Sequence, residues 1–175
     1  MDKGLLIGAF LCALCGAVTD IREKRIPNWL TYGGILTAFM LRAALAGWSG
    51  AKDGLEGVLF CGGIFFVFFF IGGMGAGDVK LMAAVGGFAG ASHAVMVVFA
   101  TAVAGGVLAI FYVVAKGRVR RTAMNMGKLL QFHLTSGAQE NPELSLQSSD
   151  ALRLPYGVAI AAGTLYSFGT LLLRG

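Results

Sequence analysis

Apolar residues run through the chain in long stretches, interrupted at intervals by short clusters of charge or glycine. Residues 4–19 are almost wholly apolar and stop at Asp20-Ile21-Arg22-Glu23-Lys24-Arg25. A second run, 29–48, follows Ile26-Pro27-Asn28, and a third, 55–71, ends at the glycine-dense stretch Gly72-Gly73-Met74-Gly75-Ala76-Gly77-Asp78. Crossing the hydrocarbon core takes roughly 20 residues of helix. The next run, 79–112, is too long for one crossing, and the Gly90-Ala91-Ser92-His93 patch is the expected turn dividing it in two. A last run covers 155–173. The pattern predicts an all-α polytopic membrane protein, a bundle of about six transmembrane helices with a Gly-rich break before the fourth. Residues 1–175 form one membrane-embedded domain in this reading, with 116–153 as a polar cytoplasmic loop inside it.

Composition agrees, since 57% of residues are hydrophobic and 13% charged, against about a quarter charged in soluble domains. The net charge of +5 does not call for nucleic acid, because the basic residues sit in short loops between apolar runs. With the loop carrying Arg22, Lys24 and Arg25 in the cytoplasm, strict alternation puts Lys116, Arg118, Arg120, Arg121, Lys128 and Arg153 there too. The opposite face keeps Lys3, Arg42, Lys52 and Arg174, the asymmetry that positive-inside topology demands. Asp20 and Asp78 then share the cytoplasmic face. The first apolar run lacks a convincing small-residue cleavage site and is expected to stay as the first span. Cys12, Cys15 and Cys61 lie inside apolar runs without the companion ligands of a zinc site, and are expected to be packing residues. No metal or cofactor is expected. Within the long loop, 119–134 has the mixture of an interfacial amphipathic helix and 135–150 that of a polar loop. The many paired small residues (Gly33-Gly34, Gly62-Gly63, Gly86-Gly87, Gly105-Gly106) suit close helix contacts in lipid.

An ionisable group at the edge of a membrane span is a functional candidate. Of nine acids, Asp20 and Asp78 border spans on one face without belonging to an extended polar loop. Two carboxylates brought together in a low-dielectric site share a proton, so one activates water while the other donates, as in aspartic proteases. The plainer alternative is that Asp78 only caps the fourth helix and Gly72 to Gly77 only turn the chain. A helix from Val79 to Gly90 rises about 18 Å against a core of about 30 Å, which recesses Asp78 below the surface. Glycine permits close backbone approach, so Gly75 and Gly77 could present their amides to a peptide. His93 and His133 stand near no nucleophile, and the glycine run lacks the GK[ST] of a phosphate loop. A different class of function fits the same two acids: a small transporter or channel subunit binding a proton or cation at broken helices.

Three stretches resemble the type IV prepilin peptidases, membrane aspartyl proteases of the GxGD class. They are Asp20-Ile21-Arg22-Glu23-Lys24-Arg25-Ile26-Pro27-Asn28, then Gly75-Ala76-Gly77-Asp78-Val79-Lys80-Leu81, then the Pro-aromatic-Gly segment beginning Leu154-Pro155-Tyr156-Gly157. The resemblance implies that Asp20 and Asp78 are the catalytic pair, with Gly75, Gly77, Lys80, Pro27 and Asn28 binding or positioning substrate. It implies a prepilin or pseudopilin substrate whose basic leader is cut just after a glycine at the cytoplasmic face of the bacterial inner membrane. The 116–153 segment has no catalytic role in this reading; a tolerated insertion is the first expectation for it, with contact to pilus-assembly machinery or anionic lipid as the alternatives. The bifunctional members carry paired CxxC motifs between the first two helices and also methylate the new amino terminus. Here that loop is short and without cysteine. The chain therefore resembles the short form of Flp-type, tight-adherence pili, and no expectation of methylation carries over.

Overall fold

The computed structural model describes residues 2–71, 73–117 and 154–174, and these form five helices with no strand among them. They are α1 (Lys3–Glu23), α2 (Asn28–Phe70), α3 (Ala76–Ala89), α4 (Ala91–Ala115) and α5 (Tyr156–Arg174). The expected amphipathic helix over 119–134 and loop over 135–150 lie outside the described residues. Among the described residues α1, α2 and α4 are long and apolar enough to cross a membrane.

The expected count of six helices becomes five because the second and third runs belong to one element. Within α2, Ala46 (φ −136°) and Gly47 (φ 58°) leave the helical region. Only glycine takes Gly47's positive φ without strain. Two residues suffice to double the helix back: Arg42 pairs with Asp53, whereas in a straight helix residues eleven apart stand about 16 Å from each other. Lys52 and Asp53, expected in a loop, are helical because the turn is complete before them.

Local chemistry sets the other ends. The Asp2 carboxylate accepts the Gly4 amide at 2.8 Å and opens α1. Lys24, in the left-handed conformation (φ 52°), closes it by donating to the Asp20 carbonyl at 3.0 Å. Pro27 then forbids continuation, and its carbonyl accepts the Leu30 and Thr31 amides to start α2. Gly90 (φ 71°) alone separates α3 from α4, within the expected Gly90–His93 turn.

Helix α3 is the centre. Every residue from Leu81 to Ala89 is buried, and the helix packs against α1, α2, α4 and α5. It is apolar on all sides over that stretch, as a fully enclosed helix is. Around it lie Leu5, Ala9, Cys12 and Ala13 of α1, Ala38, Cys61 and Phe65 of α2, Ala94 and Val97 of α4, and Ile160 and Phe168 of α5. The paired glycines separate by role. A methyl on Gly57 would strike the Gly86 carbonyl, one on Gly86 would stand 2.6 Å from Cys61 Cβ, and one on Gly163 would stand 2.5 Å from Thr101 Cα. Gly34, Gly62 and Gly105 likewise face neighbours, while their partners Gly33, Gly63 and Gly106 meet open space.

Candidate active site

Helices α1 and α3 run antiparallel, and their contacts define a register. A Cβ placed on Gly8 would lie 2.5 Å from Phe88 Cε1, and one on Gly16 would lie 2.5 Å from Leu81 Cδ2. Between these two, Cys12 and Ala84 meet over Gly34 of α2. One more turn along the same register sets Asp20 opposite Asp78. They are near enough for the Asp20 charge to act on the Asp78 carboxyl. Two acids 58 positions apart in sequence thus face one another where α1 ends and α3 begins.

Each carboxylate is held by one backbone amide, on Oδ2. The Gly75 amide donates to Asp78 at 3.2 Å, and the Gly157 amide donates to Asp20 at 2.9 Å. Among the described residues no protein donor engages either Oδ1. Both acids are half-buried. Asp78 is not the N-cap that its sequence position suggests. Gly75 occupies the cap, and Asp78 sits three residues in, reaching back to the cap amide. A first-turn carboxylate there is also favoured by the helix dipole.

The remaining expected site residues join the two loops to each other. Lys80 Nζ donates to Asn28 Oδ1 at 3.0 Å and lies 5.0 Å from the centre of the Tyr32 ring. The start of α2 is thereby tied to the first turn of α3. Pro27 shapes the turn that presents Asn28. Gly77 packs on Ile26, where a Cβ would lie 3.2 Å from Ile26 Cβ. Gly75 spends its amide on Asp78. Both glycines therefore meet the chain itself before any peptide. A crevice of about 210 Å³ between the two arms of α2, lined by Tyr32, Phe39, Leu55 and Gly87 among others, has neither aspartate in its walls.

Two site residues escaped selection from sequence: Gly157 and Tyr156. Besides donating to Asp20, Gly157 lets α5 touch α1, since a Cβ there would stand 3.1 Å from Asp20 Cβ and from the Gly16 carbonyl. Tyr156 lies within electrostatic range of Asp78, packs edge-on to Phe65 at 6.0 Å and reaches Gly105. The available signal was Pro155. Proline opening a helix leaves the next amides unpaired, and free amides at a helix start bind carboxylates.

The geometry is that of two facing acids supported by amides at the first turns of two helices. No curated protein and no solved structure matches the chain. The model of the type IV leader peptidase family matches residues 6–110, a stretch that contains both aspartates and the whole of α1, α2 and α3 after the first residues. The chain belongs to the type IV leader peptidase family.

Proposed function

We propose that Asp20 and Asp78 are the catalytic dyad of an aspartic endopeptidase that removes the basic leader of prepilins or pseudopilins. The observation that supports this reading is the α1–α3 register, which brings the two acids to one junction, each with one oxygen that meets no protein donor among the described residues. Family membership supports a peptidase with a leader-peptide substrate. It leaves the transporter alternative without an observation in its favour.

In the proposed reaction one acid is ionised and the other protonated. The carboxylate takes a proton from water as the oxygen attacks the scissile carbonyl carbon, and the protonated partner donates to the carbonyl oxygen. The tetrahedral diol then collapses: the C–N bond breaks, the leaving amine gains a proton, and the dyad returns to its shared-proton state. The amides of Gly157 and Gly75 fix both carboxyl planes, so little reorganisation accompanies the proton transfers. The scissile bond follows a glycine of the leader, and the site faces the cytoplasm of a bacterial inner membrane, with six apolar rods crossing when the two arms of α2 count separately. Positive-inside charge supports that orientation. The 116–153 loop is the segment proposed to meet pilus-assembly machinery.

Co-expression with a prepilin tests the reading. Wild-type protein is expected to convert the precursor to mature pilin, and Asp20→Asn and Asp78→Asn each to leave it uncut while still accumulating in the membrane. Full processing by either single variant would overturn the dyad.

A further inference from the structure

Arg42 is the one buried charged side chain among the described residues, 7% exposed. Its Nε donates to the Gly87 carbonyl at 2.8 Å, its Nη2 donates to the Phe88 carbonyl at 2.9 Å, and its Nη1 pairs with Asp53 Oδ2. The other Asp53 oxygen accepts the Ala91 amide at 3.0 Å. The last carbonyls of a helix and the first amides of the next have no partners of their own. Here a cation covers the negative end of α3 and an anion covers the positive end of α4, each with the sign the dipoles favour. Gly90 lies between the two charges, where a methyl would strike both side chains, and Gly54 leaves room for the arginine stem, a methyl there standing 2.8 Å from Arg42 Cδ.

This assembly lies at the end of α3 remote from Asp78. A rod of 14 residues transmits displacement along its axis: one residue of slip moves every side chain about 1.5 Å and turns it by about 100°. Apolar contacts such as Phe88 over Gly8 and Leu81 over Gly16 seat α3 against α1, and the directional polar contacts at its far end add a fixed stop along and about its axis.

We infer that Arg42, with Asp53, is a positioning clamp that fixes the depth and rotation of α3 and so aims Asp78 at Asp20. The inference rests on the reading of these aspartates as the catalytic pair. Arg42 touches neither acid and acts only through α3.

The test combines kinetics with a distance. Spin labels on Glu23→Cys and Ala76→Cys, both exposed, in a background with Cys12, Cys15 and Cys61 replaced, report the gap between the end of α1 and the start of α3. In purified, folded Arg42→Met the label distances are expected to shift or broaden, and kcat for prepilin cleavage to fall about 10- to 100-fold with KM within about twofold. Arg42→Lys is expected to fall between, since a single compact ammonium does not reproduce the planar fork whose Nε, Nη1 and Nη2 reach separate partners. A pair that merely stabilised the fold would lower the yield and leave the folded fraction's kcat and distances unchanged, and that result overturns the clamp. So does a lowered kcat with unmoved labels. If Arg42→Met fails to accumulate, Asp53→Asn is the second variant, with a smaller change in both readouts expected and no change in either overturning. If the wild type cleaves no prepilin, the peptidase reading falls, while the label distances still decide the clamp.

Discussion

The amide of Gly157 donates to Asp20 at 2.9 Å across 137 positions of sequence. This bond brings α5 to the junction of α1 and α3. It also places the positive end of a helix against a carboxylate. Gly157→Ala tests the contact. Its methyl would sit 3.1 Å from Asp20 Oδ2, tighter than ordinary packing, so α5 must retreat and the bond lengthen. Prepilin cleavage by this variant is expected to fall about 10-fold or more from misplacement of Asp20 alone, as read in a timed cleavage assay at matched protein levels.

Asp20→Asn and Asp78→Asn are expected to lose activity by on the order of 10⁴-fold each, and the double variant no more than the worse single, because groups acting as a unit are not additive. Cleavage rates of the three purified proteins decide it. Losses that multiplied would mean that the acids act separately.

Lys80 and Asn28 are joined by one hydrogen bond at a partly exposed site. A double-mutant cycle with Lys80→Met and Asn28→Ala is expected to return a coupling of about 0.5–1 kcal/mol in thermal unfolding in detergent. Cleavage by Lys80→Met is expected to fall by less than about 10-fold, since the lysine orients a loop and the aspartates remain. A loss as deep as that of Asp78→Asn would give the lysine a direct part in the reaction.

The crossing of α2 and α3 should tolerate no side chain. Gly57→Ala forces a methyl onto a backbone carbonyl and is expected to destabilise the fold by about 1–3 kcal/mol. Gly63→Ala, six residues on along the same helix, points into open space and is expected to be neutral or stabilising by up to about 1 kcal/mol. Comparing the two melting temperatures isolates packing from helix propensity.

The residues that could be read directly were those whose cost shows locally. Asp20 and Asp78 stand out because acids at the ends of apolar runs are rare, and Gly90 because it interrupts one. Arg42 was legible only as a charge to be counted for topology. Its burial depends on Gly87, Phe88 and Asp53 arriving from other parts of the fold, and hydropathy carries no trace of that meeting. Reading Lys52 and Asp53 as loop was the converse error: polarity marked the region of the turn, while the turn itself needed only Ala46 and Gly47. The Gly157 amide was hidden for a third reason. Backbone donors have no letter in the sequence, and the Pro155-Tyr156-Gly157 segment stood out there only as a stretch of resemblance.

The shortness of α3 bears on how the protein is made. At 14 residues it falls below the roughly 20 needed to partition into a bilayer as an independent segment, and its first turn carries an acid. Joined to α4 by Gly90 alone, it is expected to enter as the first leg of a hairpin pulled in by its more apolar neighbour. Arg42 and Asp53 precede it in synthesis, so the sockets for its far end exist before the hairpin arrives. With the site facing the cytoplasm as proposed, a chain truncated after Gly90 should leave α3 on that side in a glycosylation-mapping experiment, and extension through α4 should carry it in.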